Sequence, residues 1–250
     1  NNTLSDNNCS SNNYWGVTLV HKSDNNIVSD NNCSNNVAGI FIRGDNNTIS
    51  NNTCFSNNIE SGIDLSGINN VISNNTCYSN NFDGIFISGG ENIILNNTCY
   101  SNSDNGISIW SSGNVISSNN CSNNSDGIKL VHSRNSIVSN NNCFSNDIGI
   151  CLASSNNNIV SNNNCSSNID YGIELYLSSN NRICLNNFIN NGKNVDSHRS
   201  INLWNSTEKI TCTYKGKIYK NDLGNYWDDY KGRDADGDGI GDSPYSINSD

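Results

Sequence analysis

The residues best suited to chemistry stand near the end of this chain, where Asp234, Asp236 and Asp238 alternate with small residues and lead to Ile240 and Asp242. In an oxygen-ligand loop the first, third and fifth positions supply carboxylates, the seventh a backbone carbonyl and the ninth a further oxygen. Asp234 to Asp242 follows that order, with Gly237 near the sharp turn. Carboxylates that converge on one hard cation are neutralised, whereas left alone they repel. The twelfth position is Tyr245 rather than Glu, so a bidentate ligand must come from elsewhere, and Asp228 and Asp229 are the nearest candidates. The expected cofactor is a structural Ca²⁺ that pins the C-terminal end; the alternative is a solvated acidic turn.

All other chemistry depends on how a repeat places its residues. The cysteines Cys9, Cys33, Cys54, Cys77, Cys99, Cys121, Cys143 and Cys165 recur at intervals close to 22 residues, tracked by Gly16, Gly39, Gly62, Gly84, Gly106, Gly127, Gly149 and Gly172. Each unit holds short stretches of alternating apolar residues bounded by Asn, Ser, Asp or Gly, which read as strands separated by turns. Strands so short cannot bury a face alone, so successive units must stack. The expected fold is all-β: a single-stranded parallel β-helix of about nine coils, three short strands per coil, roughly 40 Å long. Residues 1–184 form the array, and residues 185–250 hold the last coil and a C-terminal cap with a hairpin near 213–219.

Stacking assigns slots. Val17, Ile40, Ile63, Ile85, Ile107, Ile128, Ile150 and Ile173 form one inward column, and Leu19, Ile42, Leu65, Ile87, Ile109, Leu130, Leu152 and Leu175 a second. A third runs Leu4, Val28, Ile49, Ile72, Ile94, Ile116, Val138 and Val160, extended by Cys184, and the cysteines are the fourth, extended by Ile189. A cysteine ladder of this kind is compatible with vertical disulfides or with reduced, buried thiols. The 58 Asn and 39 Ser residues then occupy corners, where Asn tolerates left-handed backbone and its amides can stack as ladders.

Polysaccharide cleavage needs paired carboxylates within ~5–10 Å, or a carboxylate beside Arg or Lys on adjacent coils. The outward slot between the first two columns reads Thr18, Phe41, Asp64, Phe86, Ser108, Lys129, Cys151 and Glu174, leaving its acids far apart; Asp83 and Asp126, before the glycines, are also separated. No active site emerges, and the chain is expected not to be an enzyme. Outward aromatics do form stripes: Phe55, Tyr78 and Tyr100 on successive coils, with Phe41, Phe86 and Trp110 on another face. Stripes mark contact surfaces more than scattered rings do. They would stack on sugars, bury against a sister molecule, or pair across coils.

Net charge −10 repels phosphates, so nucleic acid is excluded as a partner, and no apolar run reaches the ~20 residues of a membrane span. Asn1 falls in mid-repeat, so the chain is expected to be a processed or trimmed product. Sequons begin at Asn1, Asn8, Asn32, Asn46, Asn51, Asn74, Asn96, Asn120, Asn123, Asn164 and Asn205, and would carry glycans where the amide is not laddered.

The repeat resembles those of the NosD-like family and of carbohydrate-binding and sugar-hydrolase β-helices. The tail is more specific: Gly224, Asn225, Tyr226, Trp227, Asp228, Asp229 and Tyr230, followed by the Asp234–Asp242 loop and Tyr245, looks like the end of NosD-like surface proteins of methanogenic archaea. That resemblance implies a right-handed β-helix, export and an extracellular, cell-surface location. The family name suggests copper, but Met is absent and His21, His132 and His198 do not cluster. The resulting expectation is a non-enzymatic structural protein of an archaeal envelope, assembling with itself or with other envelope proteins into a filament, sheath or surface layer. The alternative is a carbohydrate-binding module using Phe55, Tyr78 and Tyr100.

Overall fold

The structure, a computed structural model, describes residues 2–247 and contains no helix among them. It is a parallel β-helix built from three long sheets. Sheet A stacks nine strands from Thr3–Ser5 to Arg182–Cys184. Sheet B runs from Asn8–Ser10 to Asn187–Ile189 and gains Tyr226–Trp227 from the tail as its tenth strand. Sheet C stacks nine strands from Val17–Leu19 to Lys193–His198. Beyond the last coil, Ile210–Tyr214 and Lys217–Asn221 pair as an antiparallel hairpin.

The local reason for each corner is a pair of polar residues with different tasks. The first turns the chain in the left-handed region, as at Asn74 (φ 57°) and Asn96 (φ 56°). The second points inward and joins a ladder. Asn97 Oδ1 accepts from the backbone N–H (2.9 Å) and the side-chain amide (3.0 Å) of Asn75. Its own Nδ2 donates to the Ile72 carbonyl (2.9 Å) and to Asn119 Oδ1 (3.0 Å). The same bonds recur along Asn31, Asn52, Asn75, Asn97, Asn119 and Asn141, and similar ladders stand at the other two corners. Buried polar groups are tolerated only when paired in this way.

The ladders also set register, because the inward residue follows each laddered asparagine by two positions. Asn70 precedes Ile72, and Asn75 precedes Cys77, both fully buried. The first two aliphatic columns and the eight-cysteine column stand in register as expected. Two extensions of the columns need correction. Asn181 places Ile183, not Cys184, in register with Val160, and Asn186 places Phe188, not Ile189, in register with Cys165. Phe188 fits the cysteine slot because the coils end there and Trp227 stacks on it, with ring centroids 4.7 Å apart. All eleven cysteines are free thiols.

Entry into sheet C is sterically tight. A Cβ on Gly106 would lie 2.6 Å from the Gly127 carbonyl oxygen and 3.1 Å from Cys121 Cβ, so the repeat spends a glycine here.

Replacing Asn97 with Ala would strand several buried groups at once. At about 1–3 kcal/mol for each orphaned group, the loss should reach about 3 kcal/mol. Asn96→Gly keeps the left-handed corner open to solvent and should stay within about 0.5 kcal/mol of the parent. Urea unfolding of both variants checks this, and equal losses would contradict the ladder.

Candidate functional site

The outer face of sheet C is where charged side chains gather. Its outward column is Thr18, Phe41, Asp64, Phe86, Ser108, Lys129, Cys151 and Glu174, as the repeat predicts. Register carries it one coil further, because Glu174 pairs with Asp196. Neighbouring strands lie ~4.8 Å apart, so Glu174 and Asp196 are adjacent carboxylates, not isolated ones. Asp126, at the start of its strand, comes around Gly127 to meet Lys129: Oδ2 and Nζ are 2.7 Å apart. Cys151 Sγ donates to Glu174 Oε2 at 3.3 Å. Lys129, Cys151, Glu174 and Asp196 therefore form one row on consecutive coils, with Asp126 ion-paired at its head.

The environment raises the pKa of several of these acids. Burial first, and then the nearby charges of Asp126 and Asp196, raise Glu174 above the usual carboxylate range; its bond to Cys151 opposes the shift. Burial raises Asp126 too, and Lys129 partly reverses it. Asp83, nearly inaccessible, is pushed up to about 7, mainly by burial, although Asn105 donates to it from both its backbone and its side chain. Nearer the N-terminus, burial and the charge of Glu60 push Asp64 up to about 6, opposed by Arg43. Raised carboxyls beside ionised partners are what general acid–base catalysis requires at neutral pH.

Aromatic rings border the face. Trp110 is 52% exposed, donates to Ser108 Oγ at 3.0 Å and leans on Phe86, centroids 6.2 Å apart. Phe41, also expected on a contact surface, is buried beneath Trp15, which stacks on it at 4.8 Å and donates to Glu60 at 3.1 Å. Phe55, Tyr78 and Tyr100 lie on sheet B, away from this row. Their rings stack on one another at 4.9 Å and 2°, so the inner ring faces are taken and cannot serve as a sugar platform.

In the Asp-rich loop, ligand oxygens of Asp234, Asp236 and Asp238 lie within 4.8 Å of one another, the one such three-ligand group among the described residues. Asp242 Oδ2 accepts from Ala235 N, and Asp238 Oδ1 from Ile240 N, which folds the loop upon itself. Asp228 and Asp229 are drawn instead to the last coil, where they accept from Asn190 and Asn194. A cavity of about 970 Å³ beneath the cap is walled by Trp204, Trp227, Tyr230 and Tyr245, and its one charged lining residue is Asp234. It therefore offers no acid–base pair.

Every described sequon asparagine lies outside the three buried ladders, and Asn51, Asn74, Asn96 and Asn123 are exposed left-handed corners. Asn1 lies outside the described residues.

Solved structures share this fold at low identity. The periplasmic alginate epimerase AlgG aligns at TM-score 0.66 and 22% identity, over 71% of this chain and 49% of that one. The Azotobacter vinelandii mannuronan C-5 epimerase AlgE6 A-module aligns at 0.62 and 20%, over 80% and 59%. Pectate lyase Pel9A aligns at 0.58 and 15%, over 74% and 60%. The chain thus spans about half to three-fifths of each matched structure. A search of curated proteins finds no match. The expectation that this chain is not an enzyme is corrected here: its fold is shared with epimerases and a lyase, and the row ending in Glu174 and Asp196 removes the premise that its acids stand alone.

The sequence matches the family described as "Periplasmic copper-binding protein (NosD)" over residues 1–111 and 84–232. Copper itself does not fit the donors present. His21 and His132 are exposed on separate coils, His198 stacks on Tyr176, and thiols such as Cys99 are sealed in the core, pushed well up by burial. The periplasmic description agrees with a location outside the cytoplasm. With both matched segments lying on the coils and cap described above, the chain belongs to the NosD family.

Proposed function

We propose that this chain acts on a glycan laid along the outer face of sheet C, with Glu174 and Asp196 as its acid–base pair. The single observation that carries the reading is the row Lys129, Cys151, Glu174 and Asp196 on consecutive coils, headed by the Asp126–Lys129 ion pair. Burial raises Glu174, which favours its protonated form and suits it to a general-acid role. Asp196 stands on the next strand, a backbone spacing of ~4.8 Å, which puts it within reach of the paired-carboxylate arrangement of glycoside hydrolysis. Trp110 offers an exposed ring for a sugar face beyond the row. Support also comes from the names of proteins that share the fold, which are alginate epimerases and a pectate lyase. The self-assembling envelope role expected from the sequence finds no support in the fold or the comparisons.

A Ca²⁺ ion on Asp234, Asp236, Asp238, the Ile240 carbonyl and Asp242 belongs to the same proposal as a structural element. Asp228 and Asp229 are no longer candidates, because their oxygens bind Asn190 and Asn194. The ion would hold the loop against the hairpin, where Tyr219 Oη already donates to the Gly237 carbonyl at 3.0 Å.

Incubation with neutral, amino and uronic oligosaccharides, read by reducing ends, unsaturated products and sugar epimers, should reveal turnover. Glu174→Gln and Asp196→Asn should each lower it at least ~10²-fold with the melting curve unchanged. Parent protein inert on every glycan would remove the catalytic part of the reading. Separately, Ca²⁺ at ~100 times its dissociation constant should stabilise the fold by about 2.7 kcal/mol, an effect that Asp236→Asn with Asp238→Asn abolishes. A melting temperature indifferent to chelator would rule the ion out.

A further inference from the structure

We infer that the glycan crosses the outer face of sheet C along the strands, transverse to the long axis of the β-helix, in a groove walled by Trp110 on one side and by Tyr171 and Tyr176 on the other; the inference rests on the glycan reading above and assigns the side chains that set its specificity. Four consecutive strands build the groove. Asp126–Val131 and Ile148–Ala153 pair in register, and Tyr171–Tyr176 and Lys193–His198 follow them. On the first two, little stands up from the sheet. Lys129 bends back to Asp126, Val131 and Cys151 are 9% and 4% exposed, and Ala153 ends at its Cβ. On the third, Tyr171, Glu174 and Tyr176 all stand outward of the buried Ile173 and Leu175.

The two tyrosines are braced from the last coil. His198, in register with Tyr176, stacks on it with centroids 5.6 Å apart and planes within 2°. Lys193, in register with Tyr171, holds its Nζ 5.7 Å from that ring's centroid and so backs the same wall. His198 covers Tyr176 from one side only, so the opposite ring face, on a residue 45% exposed, is turned toward Ala153. The other wall is Trp110, which continues its strand beside Val131. Its indole reaches back to Ser108, leans on Phe86 and remains 52% exposed. Three strand spacings, ~14 Å, separate the strand of Trp110 from that of Tyr176. Glu174 leans from the tyrosine wall over the floor, since its Oε2 accepts from Cys151 Sγ. A sugar ring presents C–H groups on its faces, and an aromatic ring takes such a face while the hydroxyls stay in water. Rings on both sides of a low floor therefore favour a chain that runs with the strands. A chain laid along the axis would have to climb over Trp110 and Tyr176.

The test is affinity electrophoresis of the intact protein in gels containing, in turn, linear β-glucan, glycol chitin, polygalacturonate and polymannuronate. Variants are compared on each polymer that retards the parent, and thermal melting confirms their fold. Ala153→Trp raises the floor between the walls and should weaken binding at least ~tenfold. Ser66→Trp puts the same ring in the same outward column, two coils before Trp110 and outside the groove, and should leave binding unchanged. Tyr176→Ala, which adds no bulk and decides the matter if Ala153→Trp does not fold, should weaken binding about tenfold. Tyr176→Phe should retain it, because the ring and not the hydroxyl makes the contact. Ser66→Trp weakening binding as much as Ala153→Trp would show a chain laid along the axis, and would overturn the groove while leaving the glycan reading standing. Binding unchanged in folded Ala153→Trp or in Tyr176→Ala would do the same. A parent retarded by none of the four polymers would sink the glycan reading itself.

Discussion

A primary amide can accept two hydrogen bonds at its oxygen and donate two from its nitrogen, and this fold places such a group inside every corner of nearly every coil. Asn75, Asn97 and Asn119 each receive the coil before and bind the coil after, so no buried corner is satisfied until its neighbours are in place. That requirement is cooperative and directional. It fixes coil height, because an amide bond near 3.0 Å cannot span a longer rise. It also fixes register, because a slip of one residue would expose the ladder amide and bury the left-handed corner. Hydrophobic columns fill the space inside, but aliphatic contacts alone would tolerate sliding.

The chemistry of the outer face follows from that spacing. Residues one repeat apart in sequence become neighbours ~4.8 Å apart in space, so an acid placed on consecutive units becomes a carboxylate pair without any special loop. Glu174 and Asp196 meet this way. Lys129 is reached by Asp126 because the chain bends at the crowded glycine between sheets B and C. Burial then raises the carboxyls, partial on the sheet face at Asp64, pushed up to about 6, and nearly complete at Asp83, in the turn before the sheet, pushed up to about 7. The site is a by-product of the ladder geometry, tuned by what flanks it.

Belonging to a family described as copper-binding does not give this chain copper chemistry. The thiols of its column from Cys33 to Cys165 serve as small buried apolar groups, and its histidines are dispersed. The donors that do converge are the oxygens of Asp234, Asp236 and Asp238, a set for a hard cation. The coils behave as a frame on which different members can mount different chemistry.

The periodicity was legible in the sequence because stacking demands it: Cys77, Cys99 and Cys121 recur at 22 residues and meet in register, and the aliphatic columns beside them do likewise. The Asp-rich loop and the hairpin were legible for a local reason, since their spacing and turn residues lie close together in the chain. Asp196 lies one repeat beyond Glu174, but past Gly172 the spacing has no repeat glycine to mark it. Spacing alone points to Cys184 and Ile189 rather than Ile183 and Phe188 because the end of the array loses its cysteine landmark, and only the ladder partners Asn181 and Asn186 reveal the register there. The Asp126–Lys129 contact, the self-covering of Phe55, Tyr78 and Tyr100, and the diversion of Asp228 and Asp229 to Asn190 and Asn194 depend on side-chain direction and burial. Repetition along the chain specifies which residues become neighbours; which way they face, and what charge they then hold, arises only when the coils close around them.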